Sequence, residues 1–161
     1  MKTIDEMKKT CPQSGAVEWI GIRPDKRGPV KELESVDISI ETSLEGDHYS
    51  KSGGKRQVTL IQREHINAVG QILDSSVDPS LLRRNIVVSG INLLALHDVK
   101  FKIGEDVTLE GTGYCHPCSR MEENLGPGGY NAMRGHGGIT AKVVQGGSIK
   151  VGDEIVMLDR S

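Results

Sequence analysis

The run "LESVDISI" carries Val36, Ile38 and Ile40 at every second position, with polar residues between them. A period of two suits an extended chain with one face buried and does not suit a helix. The pattern recurs in "VKFKIGEDVTLEGTG", where Val99, Phe101 and Ile103 alternate before Gly104, and Val107 and Leu109 follow it. Further short apolar runs stand in "AVEWIGIRP", "QVTLI", "NIVVSG", "GITAKVVQGG" and "DEIVMLD". Glycine or proline closes nearly every one, and the chain holds 20 glycines. Short strands at this spacing, with no long helix between each pair, predict a closed or rolled β-barrel and not a parallel α/β sheet.

Seven or eight strands follow from this reading, with a few short helices, so the fold class is mainly β. Ile66, Val69, Ile72 and Leu73 fall at helical spacing and predict a helix over 63–73. Asp78 reads as an N-cap with Pro79 at the first helical position. Residues 1–10 predict one or two helical turns, and "SLEGDHYSKSGGKR" and "GGSIKVG" read as loops. The length of 161 residues suits one domain over 1–161, with a core over 17–158 and a short extension over 1–16.

Composition narrows the function classes. A net charge of −2 leaves no global basic field for nucleic acid, and 3% aromatic residues leave few platforms for stacked bases. No apolar stretch is long enough to span a bilayer as a helix, and "MKTIDEMKKT" lacks the apolar core of a signal peptide. Three cysteines do not make a secreted disulfide framework. The expectation is a cytoplasmic protein with reduced thiols, no membrane and no nucleic-acid partner.

The chemistry concentrates in "YCHPCSRMEENLGPGGYNAMRGHGG". Cys115 and Cys118 can be a redox pair, half of a zinc site, one working thiol with a bystander, or two buried apolar residues. Zinc in a structural site takes four ligands. Here a second C-x-x-C is missing, Cys11 is remote in sequence, and only His116 and His136 are nearby. Pro117 suits the first position of a helix continued by "SRMEENL", which puts Cys118 in the first turn. Free N–H groups there, with Arg120 and His116 close by, favour a thiolate. Three further stretches can meet an anion: the glycine-rich loop ending at His136, "SGGKRQ" with Lys55 and Arg56, and "LLRRN" with Arg83, Arg84 and Asn85. Neither a dinucleotide fingerprint nor a Walker lysine accompanies the glycines.

The ordered set "GDHYSKSGGKRQVTLI", "LRRNIVVSGINLLAL", "FKIGEDVTLEGTG", "CHPCSRME" and "GHGGITAKVVQGGSIKVGDEI" resembles the MOSC domain, the module named after the C-terminus of molybdenum-cofactor sulfurase. The resemblance spans 17–158 and implies a β-barrel-like fold associated with the molybdenum cofactor, a pterin with a dithiolene and a phosphate. It maps the family's proline-preceded cysteine onto Cys118, as a molybdenum ligand or a sulfur carrier. It maps the R-x-N element near the pterin phosphate onto Arg83 and Asn85, and a G-D-x-H loop onto Gly46, Asp47 and His48. Lys55, Arg56 and His136 are expected at the rim. Larger relatives carry an extra N-terminal barrel portion, which this chain does not show before its first strand. An enzymatic role implies reduction of N-hydroxylated compounds with an electron-transfer partner. A carrier role implies a sulfur-donor protein. A cofactor-free thiol barrel using Cys115 and Cys118 is the competing class.

Overall fold

The computed structural model describes residues 1–158. Eleven strands occur among them: β1 (Gly15–Ile22), β2 (Lys31–Leu33), β3 (Ser35–Ser39), β4 (Ser43–Leu44), β5 (Val58–Gln62), β6 (Ile86–Ser89), β7 (Lys100–Ile103), β8 (Val107–Tyr114), β9 (Ile139–Gln145), β10 (Gly147–Lys150) and β11 (Glu154–Met157). Four α-helices accompany them: α1 (Ile4–Lys8), α2 (Arg63–Leu73), α3 (Ser119–Leu125) and α4 (Gly129–Met133). The expected seven or eight strands were an undercount. β4 and β10 lie in stretches that read as loops and β2 runs into the start of "LESVDISI"; at two to four residues each is too short to show a period of its own.

Seven strands close into a barrel in the order β11-β7-β8-β9-β5-β6-β1, and β1 returns to β11 through Gly15↔Ile155 and Ala16↔Glu154. β2 extends the sheet from β1, and β10-β3-β4 form a separate small sheet. β5 and β6 pair in parallel, while the other ladders are antiparallel, so the barrel is mixed. A parallel pair needs a crossover, and α2 with the 3-10 turn Pro79–Leu82 supplies it. Asp78 caps that turn by accepting from the Ser80 N–H, as its sequence predicts.

Alternation decides which core each side chain joins. Leu60, Ile86, Val88 and Ile20 point into the barrel with Phe101, Ile103 and Leu109. Their neighbours Ile61, Val87 and Trp19 point outward and still lie buried, under Ile66 and Val69 of α2, Met121 of α3 and Met133 of α4. β5 is therefore buried at every position, which explains why Val58, Leu60 and Ile61 do not alternate with exposed polar residues. α2 ends at Asp74, which adopts a left-handed conformation at φ 51°. Ile72 corrects the sequence reading: it is 60% exposed, because Leu73 and not Ile72 completes the buried stripe. Gly111 marks a bulge in β8, where a side chain would overlap the Leu96 carbonyl of the 3-10 turn Leu93–Leu96.

Candidate functional site

The site lies beside the helix-covered wall. Cys118 is exposed at the head of α3, and Cys115 is buried at 6% exposure. Cys115 enters the fold through its own N–H, which donates to the Gly138 carbonyl at 2.8 Å. The helix starts two residues later than expected, at Ser119 and not at Pro117. Cys118 is its N-cap with extended backbone, φ −126° and ψ 177°, and Pro117 lies outside. α3 has seven residues, too short for a large end-to-end dipole to accumulate. The cations in electrostatic reach of Cys118 are Arg83 and Arg84.

Arg84 immediately precedes the Asn85–Ile86 entry into β6 and is 8% exposed. Its Nε donates to the Gly137 carbonyl at 2.9 Å and its Nη1 to the Leu82 carbonyl at 2.9 Å. Burial lowers its pKa; the nearby Cys115 and Cys118 oppose that shift, while Arg23 and Arg56 add to it. Arg83 is likewise lowered, first by burial and then by Arg120 and Arg23, with Asp47 and Cys118 opposing. Arg83 and Arg84 are thus the arginines in electrostatic reach of the cysteines, with Arg23, Arg56 and Arg120 in reach of one or both of them.

Two of these arginines hold a loop. Arg83 donates through Nη1 to the Gly28 carbonyl at 2.6 Å and through Nη2 to the Lys26 carbonyl at 3.1 Å. Arg120 donates to the Lys26 and Arg27 carbonyls at 3.3 and 3.1 Å. Arg23 meets the Asp47 carboxylate with Nε at 3.2 Å, Nη2 at 3.1 Å and its backbone N–H at 2.7 Å. Burial alone would raise the Asp47 pKa, but the bonds and charge of Arg23, with the Tyr49 N–H, hold it below 3.8. The Asp47 of the G-D-x-H loop is thereby a structural anchor for Arg23.

The remaining expected residues separate into groups. Asn85 is wholly buried with its amide fully used. Its Oδ1 accepts from the Thr59 N–H and hydroxyl, and its Nδ2 donates to the Gly21 carbonyl and to Asp47. It ties β5 to β6 and does not turn to Cys118. His48 is exposed, with Nδ1 donating to the Arg23 carbonyl at 2.9 Å. Lys55 and Arg56 are exposed, and the Lys55 carbonyl accepts from the Thr112 hydroxyl. Arg56 reaches the field of Arg84. The ring of His136 meets His65 of α2 edge-on at 5.2 Å and Nδ1 donates to the Ala132 carbonyl, so it belongs to the helix layer. Among the described residues, no three His, Cys, Asp or Glu side chains gather as a metal-ligand set. A groove of about 680 Å³ lies elsewhere, along α1, Cys11 and Tyr114, and neither Cys118 nor the arginines line it.

Sequence reasoning missed Arg23 and left Arg84 without a role. Arg23 shows only as a cation between a strand and Pro24. Arg84 shows as the middle residue of "RRN", and its burial depends on a loop more than fifty positions away.

The sequence pattern that defines the MOSC domain matches residues 46–156. The chain belongs to the MOSC family. No curated protein sequence matches it at a meaningful level. Among solved structures, the MOSC chain is similar to the YUAD protein from Bacillus subtilis, at 20% identity and TM-score 0.78, over 89% of this chain and 96% of that one. It is also similar to YiiM from Geobacillus stearothermophilus, at 15% identity and TM-score 0.74, over 91% and 76%. YiiM from Escherichia coli follows at 16% identity and TM-score 0.67, over 91% and 71%. At these identities the likeness establishes the shared fold. The MOSC family is associated with the molybdenum cofactor, and among the described residues no helix is long and apolar enough to cross a membrane.

Proposed function

We propose that this MOSC protein binds the molybdenum cofactor, with Cys118 as its thiolate contact and the arginine group as its anion contact. The observation that carries the reading is the pairing of an exposed cysteine with cations that do not all find internal partners. The donor set fits such a group. A thiolate is a soft ligand suited to molybdenum, and guanidinium suits a phosphate. Bound there, the cofactor would supply two-electron redox chemistry. Cys118 would hold it, and Arg84, Arg83 and Arg56 would offset its negative charge, with Lys55, His48, His136 and Asn85 as outer contacts or supports.

Two uses of that site follow. Reduction of an N-hydroxylated base consumes two electrons and two protons and releases the amine and water, so a separate electron-transfer protein is required. Sulfur carriage instead needs a donor persulfide: the Cys118 thiolate takes its outer sulfur and the donor cysteine leaves as thiolate. Both uses suit a cytoplasmic protein.

The test is molybdenum analysis and pterin fluorescence on protein made in a cofactor-competent host. Stoichiometric molybdenum and pterin in the wild type, and loss of molybdenum in Cys118→Ser, are expected. Protein free of both that forms a reversible Cys115–Cys118 disulfide would replace this reading with the thiol-barrel one.

A further inference from the structure

Among the described residues, Arg84 Nη2 is the buried side-chain nitrogen or oxygen atom without a hydrogen-bond partner. Arg84 also forms no ion pair among them. A buried donor left unpaired carries a desolvation penalty, and a buried guanidinium without a counter-charge carries a larger one. Holding two carbonyls does not require that charge, since a neutral donor serves them equally. The neighbours make the contrast. Arg23 has Asp47, while Arg83 and Arg120 have the carbonyls of residues 25–28. Asn85 has no donor or acceptor left.

We infer that Arg84 is the oxyanion-binding residue of the Cys118 site, its free Nη2 donating to a phosphate-like oxygen of the molecule held there. The inference rests on the ligand-binding reading of Cys118. It moves anion recognition from Arg83 and Asn85, where the R-x-N element put it, to the residue between them. Gly137 covers the guanidinium: a Cβ there would stand 3.4 Å from Nη2 and overlap the Cys115 carbonyl. An anion reaches Nη2 by displacing this cover. Gly135, two residues before it, has open space around it and a positive φ of 79°, and can absorb the shift.

Inorganic phosphate is the probe. It is titrated into the full chain, read by thermal unfolding and by the iodoacetamide alkylation rate of Cys118. Phosphate is expected to raise the Tm and slow alkylation of the wild type. Arg84→Lys keeps the charge and loses the fork, so its midpoints move to at least about tenfold higher phosphate. Arg84→Gln loses both responses, and if it fails to fold, Arg84→Lys decides. An unresponsive wild type, or unchanged midpoints in Arg84→Lys, overturns the inference. Molybdenum and pterin on a wild type whose phosphate response ignores Arg84 would defeat this assignment alone. An Arg84-dependent response in protein that never carries pterin or molybdenum would defeat the cofactor reading alone.

Discussion

The barrel has two kinds of wall. Along β7 and β8 the outward positions are exposed or half-buried and polar, with Lys102, Thr108 and Glu110 facing water. Along β1, β5 and β6 the outward positions include Trp19, Ile61 and Val87, sealed under three helices. Arg84 and Asp47 are buried at the margin of the second wall, whereas Lys142 and Glu110 pair in the open on the first. Charges in water are cheap to keep and do little, while charges out of water must be matched by design. That is why the candidate chemistry sits beside the covered wall.

The sharpest way to break this contrast is at Asp47. Asp47→Ala removes the partner of Arg23 and an acceptor for the Asn85 amide and the Tyr49 N–H. A loss of about 3–5 kcal/mol in urea unfolding is expected, as for other broken buried pairs. The pair also has a pH signature. The folded-state pKa of Asp47 lies below its ordinary value, so its stabilisation is complete above about pH 4 and fades as pH falls through the folded-state value. The urea-midpoint gap between wild type and Asp47→Asn should hold steady from about pH 7 to 5 and shrink below about pH 4. A gap that widened on acidification would contradict the assignment.

Two outward-facing residues test the walls directly. Ile61→Ala, beneath α2, should cost about 2–5 kcal/mol. Lys102→Ala, on the bare wall, should stay within about 0.5 kcal/mol. Equal costs would mean that the helices add no second core.

The cysteines give the next effect. Exposed Cys118 should be alkylated at least about tenfold faster than buried Cys115 in single-cysteine variants, equivalent to about 1.4 kcal/mol of access. Equal rates would favour a dithiol. A small effect is also expected of Lys142→Ala, whose 3.3 Å contact with Glu110 is partly solvent-exposed and should contribute less than about 1 kcal/mol.

The two walls were not equally legible. Val36, Ile38, Phe101 and Leu109 announced half-buried strands because alternation survives where one face is wet. α2 was readable to its end residues from the spacing of Ile66, Val69 and Leu73. The three short strands were hidden because two to four residues carry no period. Cys118 could be singled out from local sequence by a helix start with Arg120 and His116 close by, and the structure adds Arg83 and Arg84 within electrostatic reach. Which arginine keeps a free donor depends on contacts between residues dozens of positions apart. Local sequence does not encode such contacts.

The seam between β1 and β11 has a consequence for how the chain acquires its fold. Gly15 pairs with Ile155 and Ala16 with Glu154, so the barrel closes by joining segments some 140 residues apart. Closing so long a loop has an entropic cost that grows with the logarithm of its length, and topologies rich in such contacts fold slowly. During synthesis, β1 can pair with β2 through Ile20–Ile22 and with β6 along its opposite edge, but the start of the β2 edge, at Gly15 and Ala16, stays open until residues 154–157 have left the ribosome. The nascent chain therefore carries an unpaired end of strand edge at Gly15 and Ala16 for nearly the whole of its translation, the period in which edge-to-edge association with another chain is most damaging.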